Sequence, residues 1–166
     1  MIIKSFEVNK AKFLNFSSIL LYGNNKGFKE EVIKTNISLG FSGEILRYEE
    51  PEVLENRDTI LEGFINGSLF GEMKMMIISR STNKILSFIE EFLERNISNI
   101  QIVLNSENLD KKSKLRTLFE KDKKLACIPF YEDNNQSLNI FAIKFIKEKN
   151  IRISQETINL IVERAR

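Results

Sequence analysis

The chain has 166 residues, of which 42% are hydrophobic and 29% charged, and its formal net charge is +2 at pH 7. This length and composition indicate one globular domain, or one domain and the beginning of another. No histidine is present, which excludes Ser-His-Asp and Cys-His catalysis and most zinc sites. The small net charge gives no argument by itself for a nucleic-acid or membrane partner.

The single cysteine, Cys127, cannot form an internal disulfide, which suits a reducing compartment. It lies in the apolar run 125–130, so we expect a buried and unreactive thiol. No apolar stretch approaches the ~20 residues of a membrane span, and the start of the chain lacks the apolar core of a signal peptide. We therefore expect a cytoplasmic protein without a membrane partner.

Strand and helix patterns alternate along the first 130 residues. Short apolar runs predict strands at 19–22, 45–48, 73–78, 100–104 and 125–129. Apolar residues at helical spacing predict helices at 28–39, 53–65, 85–93 and 113–121. Continuous apolar strands that alternate with helices are typical of parallel sheets covered on both faces. The sequence therefore predicts an α/β fold, a mostly parallel sheet flanked by helices.

The pattern changes after Pro129. Residues 131–136 are polar, and two helices follow without a strand, at 138–149 and 155–166, the second with Ser154 as N-cap. We place a domain boundary near 134–137, so that 1–135 form the α/β domain and 136–166 begin a small helical domain. The last helical pattern has no glycine or proline to end it, so we expect a longer protein.

The first predicted strand is followed by a phosphate-binding loop that has lost its chemistry. The working loop reads G-x-x-x-x-G-K-[ST]: its backbone N–H groups cradle phosphates, its Lys neutralises them and its hydroxyl holds Mg²⁺. Here Gly23 and Gly27 are one residue too close, and no Ser or Thr follows Lys29. Glu30 and Glu31 place negative charge at the predicted helix start, which repels a nucleotide.

A nucleotide hydrolase also needs acidic residues at the end of a core strand, to hold Mg²⁺ and polarise water. The strand at 73–78 is followed by Ser79 and Arg80, and the strand at 100–104 by Asn105, Ser106 and Glu107. Glu107 alone is a poor metal site. We therefore predict a nucleotide-binding architecture with no catalytic residue, no metal and no cofactor; an active P-loop ATPase or kinase is the alternative.

Two apolar residues, Leu69 and Phe70, stand between Gly67 and Gly71, after a predicted helix and before a core strand. They either pack into the local core or form an exposed wedge that anchors a partner's hydrophobic pocket.

A basic run begins at Lys111 and includes Lys112, Lys114 and Arg116. Interleaved apolar residues predict an amphipathic helix with a cationic outer face. That face is either a solvated surface or a contact for a phosphate backbone, so we name these four residues as candidate DNA contacts.

Taken in order, these segments resemble the δ subunit of the bacterial DNA polymerase III clamp loader. The resemblance rests on short stretches in the family's order and spacing: 20–25, 68–72, 109–115, 145–154 and 158–165. It covers nearly all of this chain, which would represent the N-terminal half of a typical δ subunit.

The resemblance implies an AAA+-like domain with a degenerate P-loop and no ATPase activity, whose role in DNA replication is to open the β sliding clamp. Matched by motif, Leu69 and Phe70, with Ser68 just before them, would enter a hydrophobic pocket on the clamp. It also implies contacts with the other clamp-loader subunits, mainly through a C-terminal domain absent here, and with primer-template DNA in the full complex. ATP hydrolysis by those other subunits would control when δ is exposed.

Overall fold

The computed structural model describes residues 1–67, 71, 73–97 and 99–164, and only the backbone of Asn66 and Gly67. The chain divides into two compact units, Met1–Phe130 and Tyr131–Arg166. The division between the two units thus lies a few residues before the predicted boundary at 134–137.

The first unit is built on a parallel sheet of five strands. The strands are β1 (Ser18–Tyr22), β2 (Glu44–Glu49), β3 (Lys74–Ser81), β4 (Ile100–Ser106) and β5 (Leu125–Pro129). Their spatial order is β2-β3-β4-β1-β5. The five predicted strands are therefore confirmed, and β1, β4 and β3 form the interior of the sheet.

Helices connect the strands and continue into the second unit. They are α1 (Lys26–Val32), α2 (Glu50–Glu55), α3 (Arg57–Gly67), α4 (Leu86–Glu94), α5 (Lys114–Lys121), α6 (Asn135–Glu148) and α7 (Gln155–Arg164). A π-helical segment, Ile33–Ser38, continues α1, and short 3₁₀ segments cover Ser5–Lys10, Phe13–Asn15 and Asn83–Ile85. None of the described helices is both long enough and apolar enough to cross a membrane.

Two hydrophobic layers cover the sheet because successive strand side chains point to opposite faces. Leu20 faces one layer, which it shares with buried residues of α2, α3, α4 and α5. Ile19 faces the other, where the N-terminal 3₁₀ segments, α1 and the π-helical segment pack. The predicted fold class, an α/β fold with a parallel sheet flanked by helices, is confirmed.

Three predicted helix starts were wrong, and capping explains each. Helix α6 begins at Asn135 rather than at 138, because the Asn134 side chain accepts a hydrogen bond from the Ser137 amide at 2.9 Å. Helix α1 begins at Lys26 because the Asn25 side chain accepts a hydrogen bond from the Phe28 amide, 3.1 Å. Glu30 and Glu31 consequently lie in the second turn rather than at the helix start. The predicted helix at 53–65 starts earlier, at a capping box, and is broken into two helices at Asn56.

Cys127 is buried as predicted, and burial raises the pKa of its thiol to about 12. In the second unit, Ser154 Oγ accepts a hydrogen bond from the Thr157 amide, 3.2 Å, as an N-cap does.

The loop after β1 makes a close backbone approach that only glycine allows. Gly23 has φ +122°, and a Cβ at this position would lie 2.0 Å from the carbonyl oxygen of Phe130. Both conditions exclude a larger residue, because the neighbour is backbone and cannot move aside.

We expect Gly23→Ala to lower the free energy of unfolding by about 2–4 kcal/mol, since it combines a steric clash with backbone strain. The matched control is Gly27→Ala in α1, where a new Cβ meets nothing within 4 Å; it should be neutral or stabilising by up to ~1 kcal/mol. Urea unfolding of both variants measures the difference. Equal effects would show that the loop does not approach Phe130 closely.

Candidate functional site

A polar cleft lies at the carboxyl edge of the sheet. Residues at this edge follow one another across four strands: Leu21 is opposite Asn105, Asn105 opposite Ser79, and Ser79 opposite Glu49. The cleft has a volume of about 290 Å³ and is lined by three cationic side chains and three carboxylates. These are Lys26, Lys29 and Arg80, and Glu30, Glu49 and Glu107. In open α/β sheets this edge is where ligands bind.

Protein acceptors already engage the backbone amides of the glycine loop. The Gly23 N–H donates to the Glu107 carbonyl at 3.0 Å, and the Asn25 N–H donates to the Phe130 carbonyl at 3.4 Å. The Lys26 amide bonds to the Asn24 carbonyl at 2.8 Å, within the loop itself. A phosphate-binding loop presents such amides to its ligand, so these three amides are unavailable to one.

The lysine of the motif points into the protein. Lys29 is only 2% exposed, and its ammonium donates a hydrogen bond to the carbonyl oxygen of Ser106, the last residue of β4. Burial lowers the pKa of Lys29, and the nearby Glu107 carboxylate offsets part of that effect. Lys29 therefore acts as an internal link between α1 and β4.

The other two cations of the cleft are paired with carboxylates. Lys26 Nζ lies 3.0 Å from Glu107 Oε1, and the Lys26 ammonium, as hydrogen-bond donor and as charge, lowers the pKa of that carboxyl. Arg80 Nε lies 3.2 Å from Glu49 Oε2. Both pairs are largely exposed to solvent, so each contributes little to stability. They nevertheless balance the charge of the cleft.

The end of β3 carries two features that sequence reasoning missed. The pairing of β3 with β4 shifts between Ser79 and Ser81, and Arg80 in between has a positive φ of 55°. The carboxylate beside this strand end comes from the N-terminus of α2: the buried Glu50 accepts hydrogen bonds from the amide and hydroxyl of Thr82. The signal available in the sequence was the acidic pair 49–50 directly after an apolar run.

The structure brings together the degenerate loop residues Gly23, Gly27 and Lys29, on one turn from β1 into α1. The predicted clamp-binding residues Ser68, Leu69 and Phe70 lie outside the described residues. Within the described residues, no group of three or more Cys, Asp or Glu side chains could hold a metal ion.

The four candidate DNA contacts lie in two different environments. Lys111, Lys112 and Lys114 are exposed. The side chain of Arg116 is only 16% exposed: it pairs with Glu120 at 2.7 Å, and its guanidinium carbon lies 4.8 Å from the centre of the Tyr22 ring. Three of the four predicted cations therefore face solvent, and Arg116 packs mainly against its own domain.

Comparison with known proteins gives matches at the level of structure alone. No protein-family model matches the chain, and no curated protein sequence does. The Bacillus subtilis DNA clamp loader delta protein YqeN superposes with a TM-score of 0.60 at 17% identity, covering 95% of this chain and 51% of that one. A replication initiator DnaA bound to AMPPCP and single-stranded DNA gives 0.52 at 18% identity, covering 96% and 55%.

A further crystal structure, described as a DNA replication initiation factor, gives a TM-score of 0.51 at 15% identity and covers 96% of this chain and 55% of that one. The chain thus spans about half the length of these three proteins. At such identities the likeness establishes the fold. The chain has the P-loop NTPase-like α/β fold that a clamp-loader subunit and a replication initiator also have.

We expect Mg-ATP to leave the melting temperature of this protein unchanged, because Lys29 and three loop amides already have internal partners. A site with a Kd of 10 μM would add about 2.7 kcal/mol of stability at 1 mM ligand. Thermal unfolding followed with and without 1 mM Mg-ATP makes the comparison, with Mg-tripolyphosphate as a base-free control. A clear rise in the melting temperature would show that Lys29 and the loop amides are available to a nucleotide, and would favour an active nucleotide-binding protein.

Proposed function

We propose that this protein is the clamp-binding δ subunit of a bacterial DNA polymerase III clamp loader, a cytoplasmic replication protein without enzymatic activity of its own. The observation that carries the proposal is a nucleotide-binding fold, superposable on a clamp-loader delta protein over 95% of the chain, whose phosphate-loop lysine is committed to the Ser106 carbonyl. A scaffold of this kind is suited to binding a partner rather than to hydrolysing a nucleotide.

The mechanism is differential binding. A protein that hydrolyses nothing shifts a conformational equilibrium only by as much as its affinities for the two states differ. Opening the sliding clamp therefore requires that this subunit bind the open-competent ring more tightly than the closed one. The Leu69–Phe70 pair is the proposed wedge, since the segment joins α3 to the interior strand β3 and the resemblance assigns the clamp contact to it.

The double variant Leu69→Ala, Phe70→Ala tests this assignment. Burial of both side chains would contribute roughly 3–5 kcal/mol at ~25 cal/mol per Å², so we expect affinity for the purified β sliding clamp to fall at least about 100-fold. Surface plasmon resonance with immobilised clamp measures the loss.

A matched control uses the same residue types elsewhere on the first unit. Leu14 and Phe6 are 64% and 74% exposed, so the double variant Leu14→Ala, Phe6→Ala removes equivalent apolar surface. It should bind the clamp with unchanged affinity. If the wild type and the Leu69→Ala, Phe70→Ala variant bind the clamp with equal affinity, this pair is not the clamp contact.

Direct DNA binding is the second candidate function, favoured by the exposure of Lys111, Lys112 and Lys114 on the β4–α5 connection and the start of α5. Asp110, Glu120 and Asp122 dilute the local positive charge. The surface therefore fits a secondary phosphate contact within a larger complex better than an independent DNA-binding site.

Changing these three lysines to alanine should make the slope of log K against log salt for duplex binding shallower by up to ~2.7. Each phosphate contact contributes ~0.9 to that slope, and three contacts would be lost. Fluorescence anisotropy across a salt series gives the slope. Lys144 and Lys147, exposed lysines of α6, provide the control substitutions. An unchanged slope in the triple variant would exclude this surface as the DNA contact.

A further inference from the structure

We infer that Lys29 is a positioning residue that holds the connection between β4 and α5, residues 107–113, and thereby fixes the exposed Lys111 and Lys112 on it. This inference concerns the conformation of the first unit and does not rest on the proposed function. The lysine that a phosphate-binding loop would direct at its ligand instead fastens the neighbouring loop.

The start of the connection is bound by the β1–α1 turn at three points. The Lys29 ammonium bonds to the carbonyl of Ser106, the residue before the connection. The Gly23 amide bonds to the Glu107 carbonyl at 3.0 Å, and Lys26 pairs with the Glu107 carboxylate at 3.0 Å. All three donors belong to the degenerate phosphate loop, which therefore contacts the end of β4 and the start of the connection through Gly23, Lys26 and Lys29.

The rest of the connection is held by α5 and by the 3₁₀ segment before α4. Arg116 donates to the Leu109 carbonyl at 3.3 Å. Ser113, the N-cap of α5, donates its hydroxyl to Asn83 at 2.8 Å and its amide to the Asp110 carbonyl at 2.9 Å. The connection is therefore fixed at both ends, and Lys111 and Lys112 lie between the fixed points.

Among the contacts at the start, the Lys29 bond and the amide bond of the buried Gly23 are shielded from solvent, whereas the Lys26–Glu107 pair is exposed. Lys29 is 2% exposed and Ser106 is fully buried, whereas the side chains of Lys26 and Glu107 are about 70% exposed. A solvent-exposed ion pair is screened by salt and contributes little, while a charged donor on a buried carbonyl is shielded from the solvent. Of the two shielded contacts at the start, only the Lys29 bond is made by a side chain, so Lys29 is the buried contact that a substitution can remove.

Hydrogen exchange of the Lys29→Met variant tests the inference, because methionine keeps an unbranched apolar stem and removes the ammonium. We expect the amides of Gly23 and Ser113 to exchange at least about tenfold faster than in wild type, with the β3 amides 75–78 much less affected, as in a local opening. The control is Val32→Ala, a buried residue of the same helix that faces the hydrophobic layer. It should raise exchange across the whole first unit without singling out those two amides.

If Lys29→Met does not fold, hydrogen exchange of the wild type at two salt concentrations takes its place. Raising NaCl from 0.1 to 1 M screens the exposed Lys26–Glu107 pair but not the buried Lys29 bond, so exchange at Gly23 and Ser113 should change less than twofold. Two results would overturn the inference: Lys29→Met exchange that matches the Val32→Ala pattern, or a salt-induced rise confined to the connection.

Discussion

One buried hydrogen bond, from the Lys29 ammonium to the carbonyl of Ser106, organises the edge of the sheet where a ligand would bind. A cation this deeply buried is costly unless it meets an acceptor. The acceptor is the last carbonyl of β4, and this strand lies between β1 and β3 in the middle of the sheet. The bond therefore joins helix α1 to the centre of the fold, and the glycine loop, the Glu107 backbone and Phe130 close around it.

The same arrangement gives internal partners to the groups that a phosphate-binding loop directs at its ligand. In the working loop a phosphate supplies the negative charge that amides and a lysine require. Here backbone carbonyls and the exposed carboxylates of Glu49 and Glu107 supply it from within the chain. These internal partners suit the proposed role of the protein, in which the fold is a rigid support for the segment between α3 and β3.

The strands could be predicted because their apolar runs are local properties of the sequence; the loss of phosphate-loop chemistry, read from the same kind of local pattern, stays a prediction. Runs such as Ser18–Tyr22 are buried on both faces and contain little but apolar residues. The helix starts at Lys26 and at Glu50 could not be located by apolar spacing, since side-chain caps at Asn25 and Glu49 determine them.

The internal acceptors of the loop were beyond sequence reasoning for a different reason. The Ser106 and Phe130 carbonyls lie 77 and 105 residues from their respective donors, Lys29 and Asn25, and any residue type can supply a carbonyl. Only the sheet order brings them together. The role of Leu69 and Phe70 stays a prediction from resemblance, since both lie outside the described residues.

The buried Lys29 bond is tested most directly by NMR detection of the Lys29 side chain in protein carrying ¹⁵N- and ¹³C-labelled lysine, assigned by comparison with Lys29→Met. A Lys29 ammonium held by the Ser106 carbonyl should give a slowly exchanging signal whose chemical shifts stay constant on addition of Mg-ATP. An ammonium that exchanges with water as fast as those of the exposed lysines, or shifts as Mg-ATP is added, would contradict such a bond.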